Sequence, residues 1–280
     1  MKTNAAVTVA LVKDTFREAL ARKVFWGFYG LSTLCILFFL FILKIDLVAG
    51  AMATVSLFGK TTDQGIDPAE LVRVVCGGIA VFLYTWGLAL AVFASGSLVP
   101  SLLEPGRIEL LLSKPLSRTH LLLGRYLGIL LVVAANIVWL VVGLWVILGI
   151  KTGIWNPAFL VACASALFIF AVMLGLITLL GVLWESAALS VMVPVALMLL
   201  SPILAQEKTA ARLLSSEWSR QLYRGIYHAL PKVYDLGHMT LQFVRRQPAP
   251  EGAWLAVAST ALFGCVTLAG GLWVFSRRDF

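Results

Sequence analysis

Few side chains in this sequence could do chemistry, and their spacing argues against catalysis. Ser56-Leu57-Phe58-Gly59-Lys60-Thr61 has the ending of a phosphate-binding G-x-x-x-x-G-K-[ST] loop. The first glycine position is Thr54, however, and the segment lacks the strand-to-helix setting whose backbone N–H groups cradle phosphates. If ATP drives this protein, another chain must bind it. His228, Asp235 and His238 could be imagined as a metal or proton site, but no tight ligand spacing joins them, and ordinary interfacial polar residues account for them. Cys35, Cys76, Cys163 and Cys265 fall in uncharged stretches, with no C-x-x-C and no closely spaced histidine. They indicate neither a zinc site nor a disulfide framework, and read as small apolar residues. H-E-x-x-H and G-x-S-x-G are absent. The expectation is a chain with no catalytic residue, no cofactor-binding residue and no metal ligand.

The remaining polar candidate is Asn136, an amide at the middle of a long apolar run. An unpaired amide in hydrocarbon costs several kcal/mol, so Asn136 is expected to face other helices or a cavity, as interhelical glue rather than as a substrate contact. Ion-coupled secondary transporters usually carry ionisable groups inside the membrane, and no such group is found in the apolar runs of this sequence.

Those runs define the elements. The chain has 280 residues, 60% hydrophobic and 13% charged, with a mean hydropathy of +0.94. This excludes an ordinary soluble domain, in which about a quarter of residues are charged. Six stretches, 24–43, 74–103, 126–150, 152–184, 186–206 and 252–276, contain no Asp, Glu, Lys or Arg. Each meets the roughly 20 residues that a helix needs to cross a bilayer. The fold class expected is all-α: a polytopic membrane protein with one membrane domain over 1–280 and six transmembrane helices at about 24–43, 75–100, 122–149, 157–183, 187–206 and 253–275. Spans 4 and 5 should form a tight hairpin with Glu185 at its tip, and Pro194 and Pro202 should kink span 5. Small residues at four-residue spacing, Gly87, Ala91 and Ser95 in span 2 and Ala261, Cys265 and Ala269 in the last span, suit close helix approach.

The segments between spans carry the charge. Residues 1–23 place Val9, Val12, Phe16 and Leu20 on one face, with Lys13, Asp14, Arg17, Glu18 and Arg22 elsewhere and Glu18 and Arg22 at i,i+4 spacing. This reads as an N-terminal amphipathic helix on the inner membrane surface. The apolar run that follows is too long for a cleaved secretory signal. Eleven Lys and Arg residues in the N-terminal arm, the 104–125 segment and the tail share one side if the spans alternate, against four in the two shorter loops opposite. Both termini are therefore expected in the cytoplasm of a cell (inner or plasma) membrane. The 207–251 segment opposite also has seven bases, interleaved with Glu207, Glu217, Asp235 and Glu251. It reads as an external amphipathic loop, with Leu214, Trp218, Leu222, Ile226 and Leu230 on one face of a surface helix. The net charge of +8 is dispersed at span ends, where lipid attraction and topology explain it without nucleic acid.

The most informative segment runs from Leu103 to Arg125. It has a charged entry, Pro105 able to start a short helix, a stop at Lys114-Pro115, and Ser117 or Thr119 able to cap the next helix. A short helix parallel to the membrane is the shape needed to receive force from a soluble partner. This segment resembles the cytoplasmic coupling loop of type-2 ATP-binding-cassette (ABC) transporter permeases, especially those similar to permeases of nitrous-oxide-reductase maturation systems. Glu104, Gly106, Glu109, Leu110, Leu111, Ser113, Pro115, Ser117, Arg118 and Gly124 match the pattern, while Arg107 replaces a threonine and Arg125 a lysine. The Phe275-Ser276-Arg277-Arg278-Asp279-Phe280 ending is similar to the family's basic-aromatic tail.

The resemblance implies that residues 104–120 include a coupling helix, with Glu104, Gly106, Arg107, Glu109, Ser113 and Pro115 at the contact with a separate ATPase subunit. ATP and Mg would be bound by that ATPase and no cofactor by this chain. A second permease copy, identical or related, would complete the unit within the lipid bilayer, and an extracytoplasmic partner is compatible with the large 207–251 loop. The function implied is a permease, as in families that mostly export. The alternatives from other classes are an ion-coupled secondary transporter and a non-transporting membrane subunit that transmits force to an extracytoplasmic protein.

Overall fold

The computed structural model describes residues 2–41, 44–48, 52–57, 60–61, 68–104, 106–112, 117–206, 216–248, 250 and 252–278. Hydrocarbon offers the backbone no hydrogen-bond partner, so each apolar run resolves into helix. In chain order these are α1 (Lys2–Ala21), α2 (Lys23–Phe41), α3 (Pro68–Phe82), α4 (Leu88–Ser95), α5 (Arg107–Leu112), α6 (Arg118–Thr152), α7 (Leu160–Trp184), α8 (Ala187–Leu204), α9 (Glu217–Ala229), α10 (Val233–Val244) and α11 (Ala253–Arg277). Five helical stretches are each long and apolar enough to cross a membrane, and the count reaches six when the bent pair α1 and α2, whose axes meet at 74°, is taken as one span. The membrane part of the protein is thus all-helical and polytopic, as the composition requires.

Span 2 is composite. α3 and α4 are joined by a π-helical turn over Leu83–Gly87, and a 3-10 turn at Pro100–Leu102 follows. α6, with 35 residues, is about 50 Å long and projects beyond the hydrocarbon. Its start is capped by Ser117, whose side chain accepts from the His120 backbone N–H, and its end by Gly153 in the left-handed conformation. Spans 4 and 5 form the expected hairpin, with Glu185 at φ 52 and Ser186 capping α8. α8 continues through both Pro194 and Pro202.

α7 is the central element, buried almost continuously from Ile169 to Val182. It packs on α4, α6, α8, α10 and α11. The tightest seam is against α11: a methyl added at Gly271 would lie 3.3 Å from Leu179 backbone, and one at Gly175 3.2 Å from the Gly264 carbonyl. Gly87, Ala91 and Ser95 are buried inside the chain, whereas Cys265 and Ala269 on α11 are exposed.

α1 is docked, and by a face the apolar pattern does not mark. Thr15 and Ala19 are buried against the start of α6, while Val9 of the apolar stripe is 66% exposed. The approach is set by glycine: a Cβ at Gly128 would sit 2.5 Å from Thr15 Cβ, and one at Gly124 2.8 Å from Leu11 Cβ.

Two features were not foreseen. Residues 44–61 form a small antiparallel meander, β1 (Lys44–Val48), β2 (Met52–Leu57) and β3 (Lys60–Thr61). Ser56 pairs with Thr61 and Leu57 with Lys60, so the described part of the phosphate-loop-like sequence lies on two paired strands, with Phe58 and Gly59 outside the described residues. The second feature is in 207–251, where Leu214 lies outside the described residues. α9 buries no side chain and exposes Trp218, Leu222 and Ile226. α10 instead is wedged into the bundle, burying Val233, Leu236, Thr240 and Val244 against α3, α7, α8 and α11.

The glycine seam gives a direct test. Gly128→Val should overpack the α1–α6 contact by about 1–3 kcal/mol and lower the thermal midpoint of the detergent-solubilised chain. The same substitution at Gly78, where nothing lies within 4 Å of an added Cβ, should shift it far less.

Candidate functional site at the arginine-rich end

With alternating spans, α1, α5, the Glu185 turn and the end of α11 gather at one end of the bundle. The organising residue there is Glu18. Its Oε1 accepts from Arg22 Nη2 at 2.9 Å, Arg107 Nη1 at 3.1 Å and Ser101 Oγ at 3.2 Å. Its Oε2 accepts from Arg125 Nη1 at 2.5 Å and from Arg107 Nη2. Three guanidiniums from three elements thus converge on one carboxylate.

The surroundings complete the set. Arg125 is 2% exposed, and its Nε and Nη2 donate to the Leu98 carbonyl at 2.9 and 2.8 Å. That carbonyl is available because the chain loosens after α4: the Leu102 N–H donates to Val99 instead. Arg22 also donates to Ser97 Oγ at 2.6 Å, and Arg125 to Ser101 Oγ at 3.1 Å. Burial opposes ionisation of Glu18, but hydrogen bonds from Arg125 and Arg107, the charge of Arg125 and the hydrogen bond from Arg22 outweigh it. They hold the carboxyl well below the usual carboxylate range. The same hydrogen bond to Glu18 raises the Arg107 guanidinium further above its ordinary value.

α5 stands directly beside this cluster. The Glu104 carbonyl accepts from the N–H groups of Arg107 and Ile108 at 3.1 and 3.3 Å, Gly106 sits at φ +80, and the buried Ile108 side chain anchors the helix. Glu104, Gly106 and Glu109 are exposed. Arg107 turns inward to Glu18 instead of facing outward with them. Ser113 and Pro115 lie outside the described residues. A second cluster fixes the tail: Arg278 donates to Glu185 and to the Val182 carbonyl, and Arg118 donates to the Arg278 carbonyl.

Asn136 lies between spans 1 and 3, where its Oδ1 accepts from Ser32 Oγ at 3.0 Å. Its Nδ2 has no hydrogen-bond partner among the described residues. Neither atom reaches an ionisable group, and no group of three or more metal-ligating side chains is found among the described residues.

The sequence pattern marked Glu104 to Pro115 but not Glu18, which local i,i+4 pairing with Arg22 already explained. Its remaining partners are 89 and 107 positions away. The family model for "ABC-2 family transporter protein" matches residues 9–280. The chain belongs to this family. Among curated proteins none matches it. As an ABC-2 protein it is the membrane component of a transporter, and the Glu18 cluster lies at the foot of the spans flanking its 103–117 loop.

Glu18→Gln should leave Arg125 buried without its anion and cost about 3 kcal/mol or more of unfolding free energy. Glu109→Gln on the exposed face of α5 should change it by less than about 0.5 kcal/mol. A depressed carboxylate contributes stability above its ordinary pKa and loses it only as pH falls through the lowered folded value. The E18Q deficit should therefore be constant between about pH 5 and 8, read by chemical denaturation in detergent. Asn136→Leu should alter stability by about 1 kcal/mol at most.

Proposed function

We propose that this chain is the permease subunit of an ABC exporter, coupling ATP hydrolysis by a separate ATPase subunit to movement of a substrate across the membrane. The observation that carries this reading is α5 on its mount: a short helix at the foot of spans 2 and 3 whose neighbours Glu104 and Gly106 and whose own Glu109 face outward, while Arg107 reaches inward to Glu18. In this reading the arginine-rich end faces the cytoplasm of a cell membrane, with both termini on that side, in keeping with the excess of Lys and Arg there.

In this reading Glu104, Gly106 and Glu109 offer an anionic edge to the ATPase, with Ser113 and Pro115, outside the described residues, expected at the same contact. Arg107 passes displacement of α5 to Glu18. Arg22 and Arg125, gripping the same carboxylate, pass it to the start of span 1 and to span 3. ATP and Mg belong to the partner ATPase, and a second permease copy, identical or related, supplies the facing half. ATP binding shifts the permease only by the difference in ATPase affinity for its two conformations, so α5 must present a different edge in each. The 103–125 pattern supports placing the chain near permeases of nitrous-oxide-reductase maturation systems, which adds an extracytoplasmic protein as a partner.

The contact is testable without knowing the cargo. Purified from its native membrane in mild detergent, the chain should bring down a P-loop ATPase with ATP hydrolysis activity. The double charge reversal Glu104→Lys, Glu109→Lys should reduce that recovery at least about tenfold, with the permease still inserted and monodisperse. Undiminished recovery in the double variant would remove α5 from the interface.

A further inference from the structure

At the end opposite Glu18, α10 divides two cavities, and His238 lines both. The first, about 440 Å³, is apolar and lies between span 2, α8 and α10, with Val81, Thr85, Met198, Leu199 and Pro202 in its walls. Val81 and Leu199 are 45% and 71% exposed on the outside of the bundle, so the groove opens laterally toward lipid. The second, about 320 Å³, lies between α9, α10 and the start of α11 and is polar: Tyr227, His228, Lys232 and Asp235 line it with His238. The Tyr234 ring stacks on His238 at 6.3 Å and 19°, which fixes the imidazole at the junction of the two.

The second cavity holds Lys232 and Asp235, with no ion pair to Lys232 among the described residues. Lys232 is 5% exposed, and its ammonium lies 4.3 Å from the Tyr227 ring centroid. Among the described residues no carboxylate lies within ion-pair distance of it, and the nearby Asp235 accepts the Tyr227 hydroxyl at 2.6 Å. A buried cation facing a ring and two imidazoles calls for an anion. The adjoining groove, walled by aliphatic side chains and open to the bilayer, calls for a hydrocarbon chain.

We propose that the two cavities are one binding site for an anionic membrane amphiphile, with an acyl chain from the adjacent leaflet in the groove and a phosphate or carboxylate head against Lys232, His228 and His238. Neither feature selects this occupant alone. A free anion would leave the apolar groove unfilled, and a neutral lipid would give Lys232 no ion pair. The site stands apart from the coupling surface and does not rest on the permease reading, since binding is measured on the chain without an ATPase.

The experiment is equilibrium binding to the full chain in non-ionic detergent with three probes: 1-oleoylglycerol 3-phosphate, 1-oleoylglycerol and glycerol 3-phosphate. The acylated phosphate should bind at least about tenfold more tightly than either of the others. Lys232→Gln should weaken it about tenfold and leave 1-oleoylglycerol unchanged, with Lys232→Arg restoring most of the loss. Leu199→Trp, at the groove wall, should weaken both acylated probes. Equal binding of the phosphorylated and neutral acyl probes, or equal binding of glycerol 3-phosphate and the acylated phosphate, overturns the proposal. The probe comparison needs only the unaltered chain, so it decides the matter even if K232Q does not fold.

Discussion

A single carboxylate keeps three guanidiniums together at one end of this protein. Arg125, almost wholly buried, could not remain there unpaired, because removing an ion from water costs several kcal/mol unless nearby charge and hydrogen bonds replace the solvent. Glu18 supplies the charge, and the Leu98 carbonyl and Ser101 hydroxyl take the remaining donors. The bond geometry forces α1 to lie against α6, because Glu18 reaches Arg125 only when the helix carrying it is seated. Gly124 and Gly128 leave the space for that seating. The docking of α1 and the inward set of Arg107 therefore meet in one interaction.

The bilayer made most of the fold legible. A span must be long, apolar and helical together, so the uncharged runs mark the helices, and the Ser117 cap and the Glu185 turn follow from local chemistry. Long-range polar matches leave no such trace. Glu18 looks satisfied by Arg22 one turn away, and nothing in the spacing connects it with positions 107 and 125. α10 is obscured in another way: Val233, Leu236, Thr240 and Val244 repeat at helical spacing, but Asp235 and His238 interrupt them and suggest a solvated loop. Lys232, at its start, carries the same ambiguity, since its burial becomes visible only once α9 and α11 are placed around it.

α9 and α10 show how one segment can meet two solvents. α9 has a strongly one-sided apolar face that the chain leaves uncovered, as expected of a helix at a membrane surface. α10 buries its apolar face against the bundle instead, and Thr240 holds it there through contacts at 2.8 Å to Ser165 Oγ and 3.3 Å to the Tyr84 hydroxyl. Tyr84 belongs to the π-helical turn of span 2, where the regular hydrogen-bond ladder is already widened. The wedge therefore bears on an irregular part of that span, and Gly237 against the Tyr84 ring and Gly77 against Leu241 pack closely enough to interlock as well.

The 103–125 segment departs from the pattern it resembles at two positions, with arginine for threonine at 107 and arginine for lysine at 125. Taken singly, each looks like drift. In the fold they are two of the three cations on Glu18, and they approach the same oxygen, Oε2. A threonine at 107 could not span the distance from α5 to α1, and a lysine at 125 would have one ammonium where the arginine uses three separate nitrogens on Glu18, Leu98 and Ser101. The two arginines and Glu18 therefore act as a set, each justified by the others. What distinguishes this chain from the pattern is not the outward edge of the 103–125 segment but the ionic mount behind it.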